Sequence, residues 1–300
     1  MNKSPIDNVS NAESGDLYLT SLRNDHILEL FHELKKFPDR NWSIRLTLGT
    51  RITSIRYRRL RDLLSSTVNV VEFEITANNM NEEAQVNLFT GLFNNKILQR
   101  CGLWNSKLNH EAMDWIGRFI QNNTILTKLR LDYWEIGDSG AVFLTKYLPE
   151  SSLQELGLGN NSLGDRNCTS LLFSISSTLT NLSMVNNNIT ISSLQAILTF
   201  FATNRTLKRL EISENPIFGE DHPDTCNNSV WQQIVEASKK KIILVKSFKI
   251  VYQATDFHSI IYHILLINLY LTNCLKMLIH IQYPNFSLFY SEIFTQQDIM

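Results

Sequence analysis

The chain has 300 residues, and its 28 Lys and Arg side chains nearly balance 29 Asp and Glu, for a net charge of −1. This balance argues against a protein that binds polyanions such as nucleic acid, and against an acidic tail protein. Hydrophobic residues make up 43% of the chain and charged residues 19%, a composition that excludes wholesale disorder. The four cysteines contain no CxxC pair, so neither a zinc site nor a disulfide-dense scaffold is expected.

The N-terminal segment is polar up to Asp16 and lacks the apolar core of a signal peptide, so we expect a cytoplasmic protein. Residues 17–37 then carry apolar side chains such as Ile27 and Leu34 and end before Pro38. This pattern predicts an amphipathic helix. Because the end of a repeat array exposes apolar surface, we expect that helix to cover it.

The segment that follows the predicted cap is basic and looks like an altered repeat. Trp42 lies 28 residues before Val70, where a regular repeat pattern begins, but Leu46 and Leu48 are displaced by one position from the strand residues of that pattern. Seven arginines occur within 22 residues: Arg40, Arg45, Arg51, Arg56, Arg58, Arg59 and Arg61. They could bind an anionic partner such as phosphate or nucleic acid, or pair with acidic residues of the next repeat. We favour pairing, with Glu72, Glu74, Glu82 and Glu83 as partners.

Six segments share one pattern, in which an apolar residue is followed by apolar residues three, five and ten positions later and an Asn-like residue eight positions later. They start at Val70, Leu98, Leu126, Leu153, Leu179 and Leu207, a period of 26 to 28 residues. After each of the first five, two further apolar residues four positions apart give the spacing of a helix. Each unit is therefore predicted to form a short strand, a tight turn and an amphipathic helix.

Asparagine is unusually frequent, with 30 residues in the chain. At the recurrent turn position, its amide can satisfy backbone donors and acceptors of adjacent turns, so stacked copies predict a hydrogen-bonded ladder. Ser106 and Trp134 interrupt this ladder, and Trp134 is expected to pack inward. Other asparagines, including Asn95, Asn123 and Asn204, are assigned to loops between repeats.

The motifs LQELGLGNNSLGD (153–165) and LTKLRLDYWEIGDSGAVFLTKYL (126–148) fit LxxLxLxxNxL on this period. The pattern over 70–220 resembles the ribonuclease-inhibitor-like leucine-rich repeats, which also occur in NOD-like receptor sensor domains and Ran GTPase-activating proteins. The resemblance implies an α/β fold: a right-handed solenoid with parallel strands on the concave face and helices on the convex face. It also implies a scaffold that binds another protein.

No catalytic motif is found: the chain contains no GxxxxGK[ST], GxSxG, HExxH or EF-hand pattern. We therefore expect a protein that is not an enzyme and has no cofactor. The polar residues at 221–226 are interpreted as a loop and not as a metal site. Cys101 and Cys168 are predicted to be buried structural thiols. A GTPase activator of the Ran-activator type remains an alternative, although the long acidic C-terminal region of that family is missing.

The C-terminal tail differs from the rest, because residues 251–300 carry only Asp256, Lys276, Glu292 and Asp298 as charged side chains. Residues 260–281 are largely apolar and could form a terminal helix, a membrane anchor or non-native sequence after a truncated array. A membrane-tethered receptor fragment is therefore a second alternative. The predicted organisation is a helical cap with a degenerate first repeat (1–69), six repeats (70–238) and an atypical tail (239–300).

The partner-binding surface is predicted from the strand positions that the repeat pattern leaves free. In this repeat type those positions face the concave side. They bring exposed aromatic and arginine side chains together, which are the residue types that dominate binding energy at interfaces. The candidate residues are Arg100, Trp104, Lys128, Arg130, Asp132, Tyr133 and Glu155. Gly157 and Gly159 beside them are expected to let a partner approach the backbone closely.

Overall fold

The computed structural model describes residues 15–20, 24–48, 54–66, 69–77, 80–104, 110–218 and a few positions between 230 and 243. The chain divides into two compact units, 1–221 with 227–247 and 222–226 with 248–300, and every described residue lies in the first. The predicted polar loop at 221–226 and the apolar segment 260–281 lie outside the described residues. Among the helices that are described, none combines the length and apolar character that a membrane span requires.

Strands and helices alternate along the described chain. The strands are β1 (Asp16–Thr20), β2 (Trp42–Leu48), β3 (Val70–Ala77), β4 (Arg100–Trp104), β5 (Lys128–Asp132), β6 (Glu155–Gly157), β7 (Asn181–Ser183), β8 (Arg209–Glu211) and β9 (Ile242–Ile243). The helices are α1 (Asn24–Lys35), α2 (Ser54–Leu64), α3 (Glu82–Asn94), α4 (His110–Asn122), α5 (Gly137–Tyr147), α6 (Asp165–Ser174) and α7 (Leu194–Thr203). Short 3₁₀ turns cover Leu148–Glu150, Ile191–Ser193 and Pro216–Phe218.

All nine strands form one parallel sheet whose spatial order equals their order in the chain. Each strand pairs with the strand of the next repeat, and each helix packs against the helices of neighbouring repeats. A parallel neighbour requires a crossover connection, which the helices supply. The predicted α/β fold, a leucine-rich-repeat solenoid with strands on one face and helices on the other, is confirmed.

The apolar positions of the repeat pattern form the core between sheet and helices. Phe73 and Ile75 of β3 lie in register with Cys101 and Leu103 of β4, and all four side chains are buried. Leu129 of β5 continues the same row. Burial of each such side chain stabilises the fold by about 1.5–3 kcal/mol. The core is therefore a continuous column that each repeat extends by one layer.

The predicted asparagine ladder is present in the last three repeats. Asn187 donates from Nδ2 to the carbonyl oxygen of Leu158 at 2.9 Å, and its Oδ1 accepts from the backbone N–H groups of Asn161 and Leu163, each at 3.0 Å. Asn161 and Asn215 make the equivalent bonds in their own repeats. All three side chains are buried, so each amide satisfies backbone groups of two adjacent repeats.

Trp134 takes the ladder position of its repeat and packs inward, as predicted. Its indole Nε1 donates to the carbonyl oxygen of Leu103 at 2.6 Å. This bond is the counterpart of the one from Asn161 to Leu131, because Leu103 and Leu131 pair in register. An indole has a donor and no acceptor, so Trp134 preserves only the donor half of the ladder.

Asparagines assigned from sequence to loops form a second structural position at the junction between helix and strand. Oδ1 of Asn95 accepts from the backbone N–H groups of Ile97 and Leu98 at 2.9 and 2.8 Å. Asn123 and Asn204 make the same pair of bonds in their repeats. Each lies three residues before the first apolar residue of a repeat, a regular spacing that could have revealed this role.

The N-terminal flank differs from the helix predicted over 17–37. Residues Asp16–Thr20 form β1, which pairs with β2, and the helix begins only at Asn24. Leu17 and Leu19 are buried on the core side of that strand. Leu17 and Leu19 are two positions apart, which is the spacing of side chains on one face of a strand. Pairing with β2 favours the strand over the predicted helix.

The displaced register of the altered repeat is compensated by a bulge in the pairing of β2 with β3, where β3 contains one extra residue, Val71. Trp42 pairs with Val70, but Ser43 pairs with Glu72, so one residue of β3 is skipped. After this bulge, Ile44 lies beside Phe73 and its side chain is buried. A one-residue slip would otherwise turn every later side chain to the opposite face, and the bulge prevents this.

Two arginines of the basic segment, Arg45 and Arg58, pair with acidic residues of the next repeat, as favoured from sequence, whereas Arg61 pairs with Asp62 of its own helix and Arg51 lies outside the described residues. Arg45 Nε lies 2.6 Å from Glu74, and Arg58 Nη2 lies 3.0 Å from Glu83. The first pair joins adjacent strands and the second joins adjacent helices. These contacts connect the altered repeat to the regular array.

Candidate functional site

The outward-facing side chains of β2–β8, called the strand face below, form three rows across the sheet. The first row is Ser43, Glu72, Arg100, Lys128, Glu155, Asn181 and Arg209. The second row is Arg45, Glu74, Gly102, Arg130, Gly157, Ser183 and Glu211. The third row contains Thr47, Thr76, Trp104 and Asp132. Six of the seven predicted site residues lie in these rows, and Tyr133 follows directly after β5.

The outer edge of the Trp104 indole lies over Gly102 on the strand face. A Cβ atom at Gly102 would come within 2.3 Å of Cη2 and 2.7 Å of Cζ3 of the indole, so only glycine leaves room for this ring position. The guanidinium of Arg130 lies 5.8 Å from the centre of the Trp104 ring, within range of a cation–π interaction. The half-buried indole is therefore fixed in place before any partner arrives.

Arg130 is positioned by Asp132, whose side chain is only 6% exposed while that of Arg130 is 50% exposed. Arg130 Nε donates to Oδ2 of Asp132 at 2.9 Å, and Oδ1 of Asp132 accepts from the backbone N–H of Gly159 at 2.7 Å. A Cβ atom at Gly159 would lie 3.0 Å from that same Oδ1. Asp132 thus acts through Arg130 and does not itself face a partner.

The two glycines beside the site make room for its own side chains. A Cβ atom at Gly157 would lie 3.3 Å from Cγ of Arg130 and 3.4 Å from Oδ1 of Asp132. A Cβ atom at Gly159 would also come close to Asp132, so both glycines leave the space that the Arg130–Asp132 pair occupies. The expected approach of a partner to the backbone of Gly159 is therefore obstructed by Asp132.

The remaining candidate residues divide between two ion-pair groups. Lys128 Nζ lies 2.9 Å from Glu155, and Glu155 also accepts from Nδ2 of Asn181 at 3.2 Å. Arg100 turns the other way, toward Glu72, with Nη2 and Oε2 2.9 Å apart. The structure therefore brings Trp104 and Arg130 together, with Tyr133 directly after the strand that carries Arg130 and Lys128, whereas Arg100 belongs to the group around Glu72.

Glu72 holds the second group together. Its carboxylate accepts from Arg100 and from the Ser43 hydroxyl, and it lies 3.5 Å from Arg45. Burial alone would raise the pKa of this carboxyl, but the hydrogen bond and charge of Arg100, with smaller contributions from Ser43 and Arg45, lower the pKa below its usual value. The carboxylate is therefore favoured in its ionised form and fixes both arginines.

We expect the Glu72 group to make stability depend on pH. Because the pKa is lower in the folded chain than in the unfolded one, the carboxylate stabilises the fold above about pH 4.3, and this contribution is lost as pH falls through the folded pKa. Urea unfolding between pH 6 and pH 3 should show a smaller loss of stability for Glu72→Gln than for the unsubstituted chain. Glu111→Gln, on the exposed side of α4, serves as control and should follow the unsubstituted chain. Equal pH dependence of both variants would contradict this account.

Tyr133 is exposed and has a backbone φ of 65°, in the left-handed region. The equivalent residues before the ladder position in later repeats are Asn160, Asn186 and Glu214, with φ of 57°, 51° and 58°. Asparagine tolerates this conformation well, whereas a bulky side chain is disfavoured there. The chain thus presents an aromatic ring at a position where backbone geometry favours asparagine, a form of strain that clusters at functional sites.

Tyr133→Asn is expected to stabilise the fold by about 0.5–1 kcal/mol, because it relieves the disfavoured conformation. It should also weaken binding of a protein partner about tenfold by removing the exposed ring. Glu214→Asn is the matched control, since it should give a similar stability gain without the loss of binding. Thermal unfolding and titration calorimetry measure the two effects. A loss of binding in Glu214→Asn, or none in Tyr133→Asn, would contradict a role for the ring.

A groove of about 330 Å³ continues the strand face from β5 to β8. Its lining includes Lys128, Arg130, Glu155, Asn181, Ser183, Arg209 and Glu211, with Gly157 between them. Asn181, Ser183, Arg209 and Glu211 occupy the same free strand positions of the repeat pattern as the candidate residues, but they were not among the candidates. The feature that indicates a groove here is the pair of small residues Gly157 and Ser183, which lie between Arg130 and Glu211 in the second row of the strand face.

The two described cysteines are buried among apolar side chains. Burial raises the pKa of both thiols, that of Cys168 to about 12, so the reactive thiolate is disfavoured. This confirms the predicted buried position of Cys101 and Cys168. In the part of the chain that the structure describes, no group of three or more His, Cys, Asp or Glu side chains could hold a metal ion.

The chain is similar to solved structures at low sequence identity. A chain of the yeast Rad7 and Elc1 complex is 15% identical with a TM-score of 0.53, covering 76% of this chain and 55% of that one. The alignment therefore spans about half the length of that chain. The C-terminal domain of Caenorhabditis elegans tropomodulin is 16% identical with a TM-score of 0.40, covering 53% of this chain and 92% of that one. No family model and no curated protein matches the chain.

Proposed function

We propose that this chain is a non-enzymatic, cytoplasmic interaction scaffold of the ribonuclease-inhibitor-like leucine-rich-repeat type, which binds another protein through its strand face. The binding surface consists of Trp104, Arg130 and Tyr133, flanked by Lys128 and Glu155. The observation that carries the proposal is the fixed placement of exposed aromatic and arginine side chains on adjacent strands, supported by Gly102 and Asp132 beneath them.

The physical basis of the proposal is preorganisation. Binding costs free energy whenever an exposed side chain has to be ordered, about 0.5–1.5 kcal/mol for each flexible one. The indole of Trp104 rests on Gly102, and Arg130 is held by a buried carboxylate. Most of this ordering cost is therefore met when the chain folds, which leaves more of the contact energy for binding. Aromatic and arginine side chains held in this way are the usual centres of protein interfaces.

Nothing in the described part of the chain specifically supports a GTPase-activating role. The receptor-fragment alternative depends on residues 260–281, which lie outside the described residues.

Photo-crosslinking tests the proposal and identifies the partner. A photoreactive benzoylphenylalanine replaces either Tyr133 on the strand face or Val142, which is exposed on α5. We expect a crosslinked protein from position 133 and none from position 142. Crosslinking from position 142 but not from position 133 would place binding on the helices and overturn the proposal.

A further inference from the structure

The groove between β5 and β8 has an uneven distribution of exposed charge. Arg130 and Arg209 are 50% and 42% exposed, whereas the carboxylates that hold them, Asp132 and Glu211, are 6% and 21% exposed. Lys128 and Glu155 form a third pair in which both partners are about equally exposed. The two guanidinium groups are therefore more exposed to the groove than the carboxylates paired with them, whereas Glu155 is as exposed as Lys128.

The two guanidinium groups of the groove use only part of their hydrogen-bonding capacity on these carboxylates. Of the five N–H donors of a guanidinium, Arg130 uses the one on Nε to bind Asp132, and Arg209 uses Nε and Nη2 to bind Glu211, which leaves further N–H donors for a ligand. Guanidinium groups bind planar carboxylates by paired hydrogen bonds, and such charge-assisted bonds are about twice as strong as neutral ones. The floor between the cations is formed by the small residues Gly157 and Ser183. The chemistry that fits this groove is a carboxylate on a narrow, extended backbone.

The spacing of the cations sets the spacing of the carboxylates they would bind. Lys128 and Arg209 lie in the same row on β5 and β8, so three strand spacings, about 14 Å, separate them. Four residues of extended chain span about 13 Å, and residues four apart project to the same side. Two carboxylates four residues apart would therefore reach Lys128 with Arg130 at one end and Arg209 at the other.

We propose that this groove binds an extended acidic segment of the protein partner, with two Asp or Glu residues four positions apart. The inference rests on the proposed function and specifies the partner segment that lies beside Trp104 and Tyr133. Glu155, which is 41% exposed on the strand next to Lys128, also lines the groove, so a continuous polyanion such as nucleic acid would meet a repelling charge between Lys128 and Arg209. Two separate carboxylates, one at each end of the groove, avoid it.

Fluorescence anisotropy with the full chain and labelled ten-residue peptides tests this inference. The probe carries Glu at positions 4 and 8 in a Gly/Ser background, and the comparison peptides carry Gln at both positions or Glu at positions 4 and 7. We expect the first peptide to bind about tenfold or more tightly than either comparison peptide, because only it offers both carboxylates on one side. Arg209→Gln should lower its affinity about tenfold, whereas Arg118→Gln on α4 should leave it unchanged.

Equal affinity for the three peptides, equal loss in Arg118→Gln, or equally tight binding of a ten-nucleotide oligouridylate would overturn the inference. Affinity measurements with the crosslinked partner distinguish a failure of this inference from a failure of the proposed function. If its affinity falls in Trp104→Ala but is unchanged in Arg209→Gln, the strand face binds the partner and the acidic segment is wrong. If its affinity changes in neither variant, both proposals fail.

Discussion

Asn187→Ala is expected to lower the free energy of unfolding by about 3–5 kcal/mol, the largest stability effect that we predict. The amide of Asn187 donates to the carbonyl oxygens of Leu158 and Val185 and accepts from the N–H groups of Asn161 and Leu163. Alanine leaves these backbone groups without their partner in a buried position, and each unsatisfied group costs about 1–3 kcal/mol. The sum is reduced because neighbouring losses are not additive.

Urea denaturation measures this effect, with two further variants to locate its cause. Asn187→Asp keeps the shape and the acceptor but loses the donor and adds a buried charge, so it should also destabilise strongly. Asn122→Ala removes an exposed amide that donates to the carbonyl oxygen of Arg118, and it should change stability by less than about 0.5 kcal/mol. A cost of Asn187→Ala as small as that of Asn122→Ala would show that the ladder contributes little.

Trp104→Ala is expected to weaken binding of the protein partner by about 2–4 kcal/mol, a loss of about 30-fold to 1,000-fold in affinity. The indole is the largest partly exposed aromatic group of the binding surface, and its position on Gly102 is fixed before binding. Replacing Trp104 by alanine therefore removes a contact surface that needs no further ordering of the side chain when the partner binds. Titration calorimetry with the crosslinked partner measures the change.

Gly102→Ala tests whether the position of the ring matters, because it leaves the indole intact. The new methyl group would displace the ring, and since the ring is the outer end of a half-exposed side chain, the stability cost should be small. We expect about a tenfold loss of affinity with little change in thermal unfolding. Gly164→Ala is the matched control, because a Cβ atom there would make only an ordinary contact, 3.6 Å from Asp138. Unchanged affinity in Gly102→Ala would contradict preorganisation of the ring.

The regular part of the fold could be predicted because each repeat encodes the same layer of core. Leu129 and Leu156 lie beside each other because both occupy the same position of a pattern that recurs every 26 to 28 residues. The first strand could not be predicted in this way. Leu17 and Leu19 fit both a strand and the start of a helix, and only the neighbouring β2 distinguishes the two. The bulge at Trp42 was visible from sequence as a displaced register, but its structural cause was not.

The candidate site was predictable in its composition and less so in its internal arrangement. The repeat pattern indicated that Trp104 and Arg130 face the same side of adjacent strands, and the structure places them within 6 Å of each other. It could not show that Asp132 lies beneath Arg130, because that depends on Gly157 and Gly159 in the following repeat. Nor could it show that Arg100 turns toward Glu72, since both acidic and basic neighbours flank that strand.

The central claim is that a protein partner binds to the strand face, and two charge reversals test it most directly. Arg130 and Arg118 are nearly equally exposed, at 50% and 53%, and each is paired with an aspartate, but Arg130 lies on the strand face and Arg118 on a helix. We predict that Arg130→Glu weakens the affinity for the crosslinked partner about 30-fold or more, whereas Arg118→Glu changes it less than about twofold. Equal losses in the two variants, or a larger loss in Arg118→Glu, would contradict the account.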